Sequence, residues 1–226
     1  MKKIAVVIYG PPGSGKGTQA NLLAESLGLI HFDTGRFVES VVHNPSRQKE
    51  KVIQRERKLF DGGKLMTPAF VLREVAKHTK QIARAGFGVV YSGSPRTMYE
   101  AKGLIPVLSK LYGKKNVFFI VLQVPEQTSS SRNRARLVCK TCRRPLLTAY
   151  AKEMKNCPVC GGKFYKRSVD NPKIMHIRLE EYRKRTEPIF TLARSKGFRF
   201  KEVDGRPAPA KVFEQIHGYL KKQGRG

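Results

Sequence analysis

MKKIAVVIYGPPGSGKGT, Met1 to Thr18, decides how the rest of the chain is read. Ile4 to Tyr9 is an apolar run, rich in β-branched residues and too short for a helix, which predicts a strand buried on both faces. A glycine-rich turn follows, and Lys16 to Thr18 open a helix. Gly10, four residues, then Gly15-Lys16 satisfies the phosphate-loop pattern. Glycines let backbone N–H groups converge on an anion with no Cβ in the way, and the helix start adds unsatisfied donors and a positive dipole end. The candidate phosphate-binding residues are therefore Gly10, Pro11, Pro12, Gly13, Ser14, Gly15, Lys16, Gly17 and Thr18. Lys16 supplies a mobile charge for the β- and γ-phosphates. Because Gly17 follows it directly, the hydroxyl for Mg²⁺ falls to Thr18.

Down the chain, five strands alternate with helices, which makes the core α/β with a parallel sheet and its site at the strands' C-terminal ends. The expected strands are Ile4 to Tyr9, Leu29 to Phe32, Gly88 to Tyr91, Val117 to Val124 and Phe198 to Val203. The first helix runs from about Lys16 to Leu27, with Leu22, Leu23 and Leu27 inward. Pro45 to Phe60 is a charged helical stretch, and Thr67-Pro68 caps the helix that follows it.

GPPGSGKGTQA, Gly10 to Ala20, resembles the adenylate kinase branch of the nucleoside monophosphate kinases, and the resemblance covers nearly the whole chain. It implies a P-loop NTPase-type five-stranded parallel sheet with helices on both faces. To this it adds an acceptor-binding insertion at 34–67 and a zinc-binding lid at 132–167. The core would comprise 1–33, 68–131 and 168–226. The implied reaction is reversible, Mg²⁺-dependent phosphoryl transfer, ATP + AMP = 2 ADP.

The acceptor side departs from the family pattern. Thr34-Gly35 matches the pair that opens the monophosphate subdomain, but the acid and the phosphate-holding arginine that follow in the family are here Arg36 and Glu39, charges exchanged. They lie three apart on one helix face. Either Arg36 does the arginine's work from one turn earlier, or the anchor is lost. Ser92-Gly93-Ser94-Pro95-Arg96 resembles the family's Asp-Gly-Phe-Pro-Arg, so Arg96 is the second acceptor arginine. The missing aspartate is the one that orients Mg²⁺; Asp33, ending the neighbouring strand, is a candidate replacement and equally a helix N-cap. Glu100 stands where a glutamine reads adenine. As an acceptor-only group it favours guanine, unless it is a solvent-exposed helix residue, whereas Thr34 resembles adenine-type members, so the acceptor base stays open between AMP and GMP.

On the donor side, Arg132 and Arg136 share a helix face and take the places of arginines that contact the donor and the transferring group, while Arg134 points elsewhere. Arg167 and Arg178 match the later phosphate-contacting arginines. Lys16, Arg132, Arg136, Arg167 and Arg178 are the candidate catalytic residues; Thr34, Arg36, Arg96, Glu100, Arg167 and Arg178 are the candidate monophosphate-binding ones. Of two acids common at the lid hinge only Asp170 remains.

Cys139, Cys142, Cys157 and Cys160 are the only cysteines, two CxxC knuckles fourteen residues apart. Such knuckles place four thiolates on a structural Zn²⁺, which would supply the folding energy of a segment poor in apolar residues. From Arg132 to Arg167 there are eleven basic residues, Lys152 among them, against one acid, Glu153.

The whole chain carries 45 Lys and Arg against 17 Asp and Glu, net +28, of which only +8 lies in residues 1–100 (16 basic, 8 acidic). An anionic partner follows: nucleotide, nucleic acid or a membrane surface, of which the membrane is not expected. Lys2-Lys3 and the short apolar run mimic a signal peptide, but the run ends in the phosphate loop. The expected protein is soluble, cytoplasmic and monomeric, with ATP and a nucleoside monophosphate as partners. The rival reading is an RNA- or ribosome-associated P-loop ATPase, supported by the charge and the basic lid, and opposed by a lid whose only aromatics are Tyr150, Phe164 and Tyr165.

Overall fold

A computed structural model describes residues 3–146 and 154–223. Lys2, Tyr150, Lys152, Glu153 and the end of the tail, 224–226, lie outside the described residues. In chain order the elements are β1 (Ala5–Tyr9), α1 (Lys16–Leu27), β2 (Leu29–Phe32), α2 (Thr34–Val42), α3 (Lys51–Asp61), α4 (Pro68–Arg84), β3 (Gly88–Tyr91), α5 (Met98–Tyr112), β4 (Val117–Gln123) and α6 (Glu126–Arg134). There follow β5 (Leu137–Cys139), β6 (Pro145–Leu146), β7 (Phe164–Tyr165), α7 (Pro172–Glu181), α8 (Pro188–Ser195), β8 (Arg199–Asp204) and α9 (Pro209–Lys222).

Five strands form one sheet in the order β2-β3-β1-β4-β8, every pair parallel. The apolar β1 run sits at its centre with all five residues buried. Because successive side chains leave a strand on opposite faces, doubly buried strands feed two cores. Ala5, Val7, Tyr9 and Phe119 pack with Phe70, Val75, Leu104 and Leu108, and with Ile189 of α8. Val6, Ile8, Phe118 and Ile120 pack on the other face with Leu23 of α1 and with Val212, Ile216 and Leu220 of α9. Truncating a fully buried ring such as Phe119 to alanine costs about 3–5 kcal/mol. Among the described residues no helix is long and apolar enough to cross a membrane.

The expected α/β architecture holds, and the local departures have identifiable causes. Leu22 is only half-buried, and Gln19 and Ala20 take its place on the inner face of α1. The 45–60 stretch is not one helix. Pro45–Arg47 is a short 3₁₀ turn capped by Asn44, and α3 begins only at Lys51. Thr67 precedes Pro68 as expected, but its side chain does not cap α4. Its hydroxyl and its N–H both donate instead to the fully buried Glu56 (2.5 and 2.8 Å), which ties α3 to α4.

Between α6 and α7 the chain makes a small antiparallel sheet, β6-β5-β7. Beyond α7, Tyr182–Thr186 is a π turn that joins α7 to α8.

Candidate active site

The C-terminal ends of β1, β2 and β3 open into a cavity of about 500 Å³, within the usual range for a small-ligand site. The phosphate loop is one wall. Gly10 has φ +146°, and a Cβ there would sit 2.5 Å from Ser14 Oγ and 2.8 Å from the Leu122 carbonyl. Gly13 has φ +86°, and its Cβ would meet Asn133 Nδ2 at 2.3 Å. Any side chain at either position would push the loop off its supports. Those supports come from α6: Ser129 Oγ donates to the Pro12 carbonyl, and Asn133 Nδ2 to the Ser129 carbonyl. Lys16 Nζ folds back on the loop, donating to the carbonyls of Gly10 (2.7 Å) and Pro11 (2.8 Å). Gly17 and Thr18 face the cavity; Pro11 and Ser14 support the loop from outside its lining.

Seven arginines (36, 96, 132, 136, 143, 167 and 178) and two lysines (16 and 64) line the cavity against three carboxylates (Asp33, Glu39 and Glu181). Burial and this crowding together act on the basic groups. Burial, then Arg96, Arg178 and Arg136, hold Lys16 well below the ordinary lysine range, with Asp33 opposing. Burial and the guanidinium groups of Arg167 and Arg136 pull Arg178 down to about 9. Arg96 is lowered chiefly by burial. Like charges held together out of water are costly unless an anion completes the set.

Not every predicted arginine is free. Arg132 donates to the carbonyls of Gly205 and Arg206 (2.8 Å each), clamping the loop after β8. Arg136 is bidentate on Asp170 (2.9 and 2.5 Å), and Arg178 reaches the same carboxylate at 3.1 Å. The single remaining hinge acid thus holds two site arginines. Arg134 is exposed and lies outside the lining, as expected.

Several acceptor-side expectations need correction. Among the described residues no ion pair joins Arg36 to Glu39; Glu39 instead meets Arg167 at 3.8 Å across the cavity. Asp33 lines the cavity and is also the N-cap of α2, accepting from the Arg36 N–H at 3.1 Å. Thr34 is buried behind Gly35, with its hydroxyl unpartnered among the described residues.

Glu100 is neither solvent-exposed nor part of the lining. Its carboxylate accepts from the Arg96 N–H (2.9 Å) and the Thr97 hydroxyl (3.0 Å), while Thr97 Oγ1 accepts from the Glu100 N–H. This is a capping-box arrangement, and burial raises the carboxyl's proton affinity. The Thr97-x-x-Glu100 spacing was the available signal.

Three contacts have no counterpart among the predicted residues. His31, on β2, is bonded through both ring nitrogens: Nδ1 to Asn21 Oδ1 (2.6 Å) and Nε2 to Ser92 Oγ (2.7 Å). Burial lowers its proton affinity; Asp33 opposes and Arg36 assists. Thr186, in the π turn, donates to the Arg96 carbonyl at 2.9 Å. Tyr9 and Tyr182 also line the cavity.

The four cysteines converge at one end of the small sheet, their sulfurs all within 4.8 Å of one another. Cys139 Sγ lies 3.5 Å from Cys160 Sγ, and Cys142 Sγ 3.7 Å from Cys157 Sγ. Sulfurs bound tetrahedrally at 2.3 Å to one ion stand about 3.8 Å apart, so the donor set fits a single Zn²⁺. Burial pushes the Cys139 thiol up, but N–H donation from Cys142 and Thr141 outweighs it and brings it to about 6. Gly162 leaves room for the cluster, since a Cβ there would stand 2.9 Å from Cys139 Sγ.

A family model for adenylate kinase matches residues 8–198. The adenylate kinase of Elusimicrobium minutum is 32% identical over 221 residues, covering 96% of this chain and 99% of that protein. That of Archaeoglobus fulgidus is 31% identical over 219 residues, covering 96% and 98%. That of Caldicellulosiruptor saccharolyticus is 31% identical over 194 residues, covering 85% and 87%.

Proposed function

This chain belongs to the adenylate kinase family and is a nucleoside monophosphate kinase, and we propose that it transfers the γ-phosphoryl group of Mg·ATP reversibly to AMP. The observation that carries this is the pairing, within one cavity, of a glycine-built phosphate loop with seven arginines and two lysines against three carboxylates. AMP is preferred to GMP because Glu100, the residue that favoured guanine, has both carboxylate oxygens engaged by Arg96 and Thr97.

In this reading the loop amides of 10–18 and Lys16 hold the ATP phosphates. Arg96 and Arg36 hold the acceptor phosphate, with Thr34 beside it. Arg132, Arg136 and Arg167 from the lid, with Arg178 from α7, close over the transferring group. The acceptor phosphate is itself the nucleophile, so no general base and no covalent intermediate are needed. The residues contribute positioning and neutralisation of the charge on the migrating group.

Thr18 and Asp33 are the residues to hold Mg²⁺ with its nucleotide, where the ion neutralises the β- and γ-phosphates. Asp33→Ala should then abolish Mg²⁺-dependent turnover, and full activity would remove Asp33 from that role. Residues 34–67 act as the acceptor-binding unit and 132–167 as a lid on the core (1–33, 68–131 and 168–226), which excludes water on closing. Cys139, Cys142, Cys157 and Cys160 hold a structural Zn²⁺. One zinc per chain by elemental analysis, lost in Cys157→Ser together with lid stability, is the expected result.

The test is a panel of Mg·ATP with AMP, GMP, CMP and UMP, separating the nucleotides directly, with Lys16→Ala as the control. ADP from AMP alone, lost in the control, is expected. Diphosphate from GMP instead would reassign the acceptor, and ATP consumption with no acceptor product would mean hydrolysis.

A further inference from the structure

Ser92 follows β3, where a carboxylate would ordinarily hold the water shell of a nucleotide-bound divalent cation beside a phosphate loop. A lone serine hydroxyl is a weak substitute, because its proton can turn toward the cavity as readily as its lone pairs. Here it is not alone. His31 Nε2 lies 2.7 Å from Ser92 Oγ, and His31 Nδ1 lies 2.6 Å from Asn21 Oδ1. The three residues come from α1, β2 and the end of β3, and all three line the cavity next to Lys16 and Thr18.

The direction of each bond follows from the chain of partners. Asn21 Oδ1 can only accept, so Nδ1 carries the proton; in a neutral imidazole Nε2 is then bare and can only accept. The Ser92 hydroxyl must donate to it. Its single proton is spent on the ring, it has no other hydrogen-bond partner among the described residues, and what remains are lone pairs. Burial of His31 disfavours the imidazolium that would reverse the arrangement. Asp33 and Arg36 are the charged groups that act on the ring, and they do so with opposite sign.

We propose that Asn21, His31 and Ser92 form a hydrogen-bond relay in place of the missing carboxylate: Asn21 fixes the ring tautomer, His31 takes the Ser92 proton into a hydrogen bond, and Ser92 Oγ is held as an acceptor for water on the divalent cation of bound ATP. His31 and Asn21 are positioning residues; no proton is transferred and no covalent bond changes. The proposal rests on the assignment of the phosphate loop to Mg·ATP.

The measurement that tests it is ATP affinity by titration calorimetry on the full chain, with Mg²⁺ and with EDTA. The ratio of the two dissociation constants isolates the cation's contribution. Ser92→Ala and His31→Leu should each shrink that ratio about tenfold while leaving metal-free ATP binding within about twofold. Adding Ser92→Asp to His31→Leu should restore it, which a merely structural histidine would not allow. The tautomer is read independently from the ¹⁵N shifts of His31 in the unmutated protein, with Nδ1 protonated and Nε2 bare. A proton on Nε2, or an unchanged ratio in Ser92→Ala, overturns the relay. Absence of ATP binding both with and without Mg²⁺ would overturn the nucleotide assignment, and the relay with it.

Discussion

The two walls of the cavity are built by different means. The phosphate-loop wall is made of backbone: Gly10 and Gly13 sit where a Cβ would collide with Ser14, the Leu122 carbonyl or Asn133, and α6 braces the loop from behind. The facing wall is made of long side chains held by one another. Arg136 and Arg178 share Asp170, Arg167 meets Glu39, and Arg96 is anchored through its backbone by Glu100 and Thr186. A backbone site tolerates little sequence change, because its geometry is the chain itself. A side-chain site can exchange an acid for a base, as at Arg36 and Glu39, provided some other group takes up the charge. The first wall keeps the family pattern, whereas the second keeps Arg96, Arg167 and Arg178 and departs from it at Arg36 and Glu39.

The comparison predicts effects of graded size. Lys16→Ala, on the backbone wall, should lower kcat about 10³-fold with little change in thermal stability, since Nζ bonds only two loop carbonyls. A loss below tenfold would mean the loop amides alone carry the donor. Arg96→Ala should raise the KM for AMP about 100-fold and Arg36→Ala about tenfold. An unchanged KM in Arg36→Ala would show that the exchanged arginine is no anchor and that the facing wall has lost one.

A pH series probes the crowding itself. Lys16 is held below its ordinary range by burial and three arginines, and only its protonated form attracts phosphate. ATP affinity should therefore be full below that depressed value and fall as pH rises through it, by up to about tenfold per pH unit. Calorimetry in two buffers of different ionisation heat would reveal the accompanying proton uptake, and a flat affinity up to the ordinary lysine range would contradict it. The smallest effect belongs to Glu39→Gln. Freeing Arg167 from a part-exposed pair at 3.8 Å should tighten AMP binding about threefold at low salt and less at high salt. Weaker binding instead would make Glu39 a contributor to the acceptor site.

What could be read from the sequence followed the same division. The phosphate loop, the strand that feeds it and the cysteine knuckles were legible because their chemistry lies in fixed local spacings. Glu100 sits differently from the expectation although the signal was local: Thr97-x-x-Glu100 has capping-box spacing, and the carboxylate is buried on that helix start, outside the cavity lining. His31 with Asn21 and Ser92, Asp170 with its two arginines, and Glu39 with Arg167 were not legible. Each joins residues 8 to 128 positions apart, and neither periodicity nor propensity carries that information.

The π turn at Tyr182–Thr186 bears on how such a chain can be edited by inheritance. A π turn holds one residue more than a regular helix needs, and each helical residue advances the chain by about 100°. Upstream of it Arg178 and Glu181 face the cavity; downstream Ile189 and Ala193 face the core. Losing a single codon anywhere from 183 to 185 would heal the turn into ordinary helix and swing one set of side chains about a quarter of the way round the axis. Either the cavity or the core would then lose its lining. Replacing the exposed Arg183 or Lys184 is cheap, whereas deleting either is not, so these positions can drift in composition while the length of the stretch stays fixed.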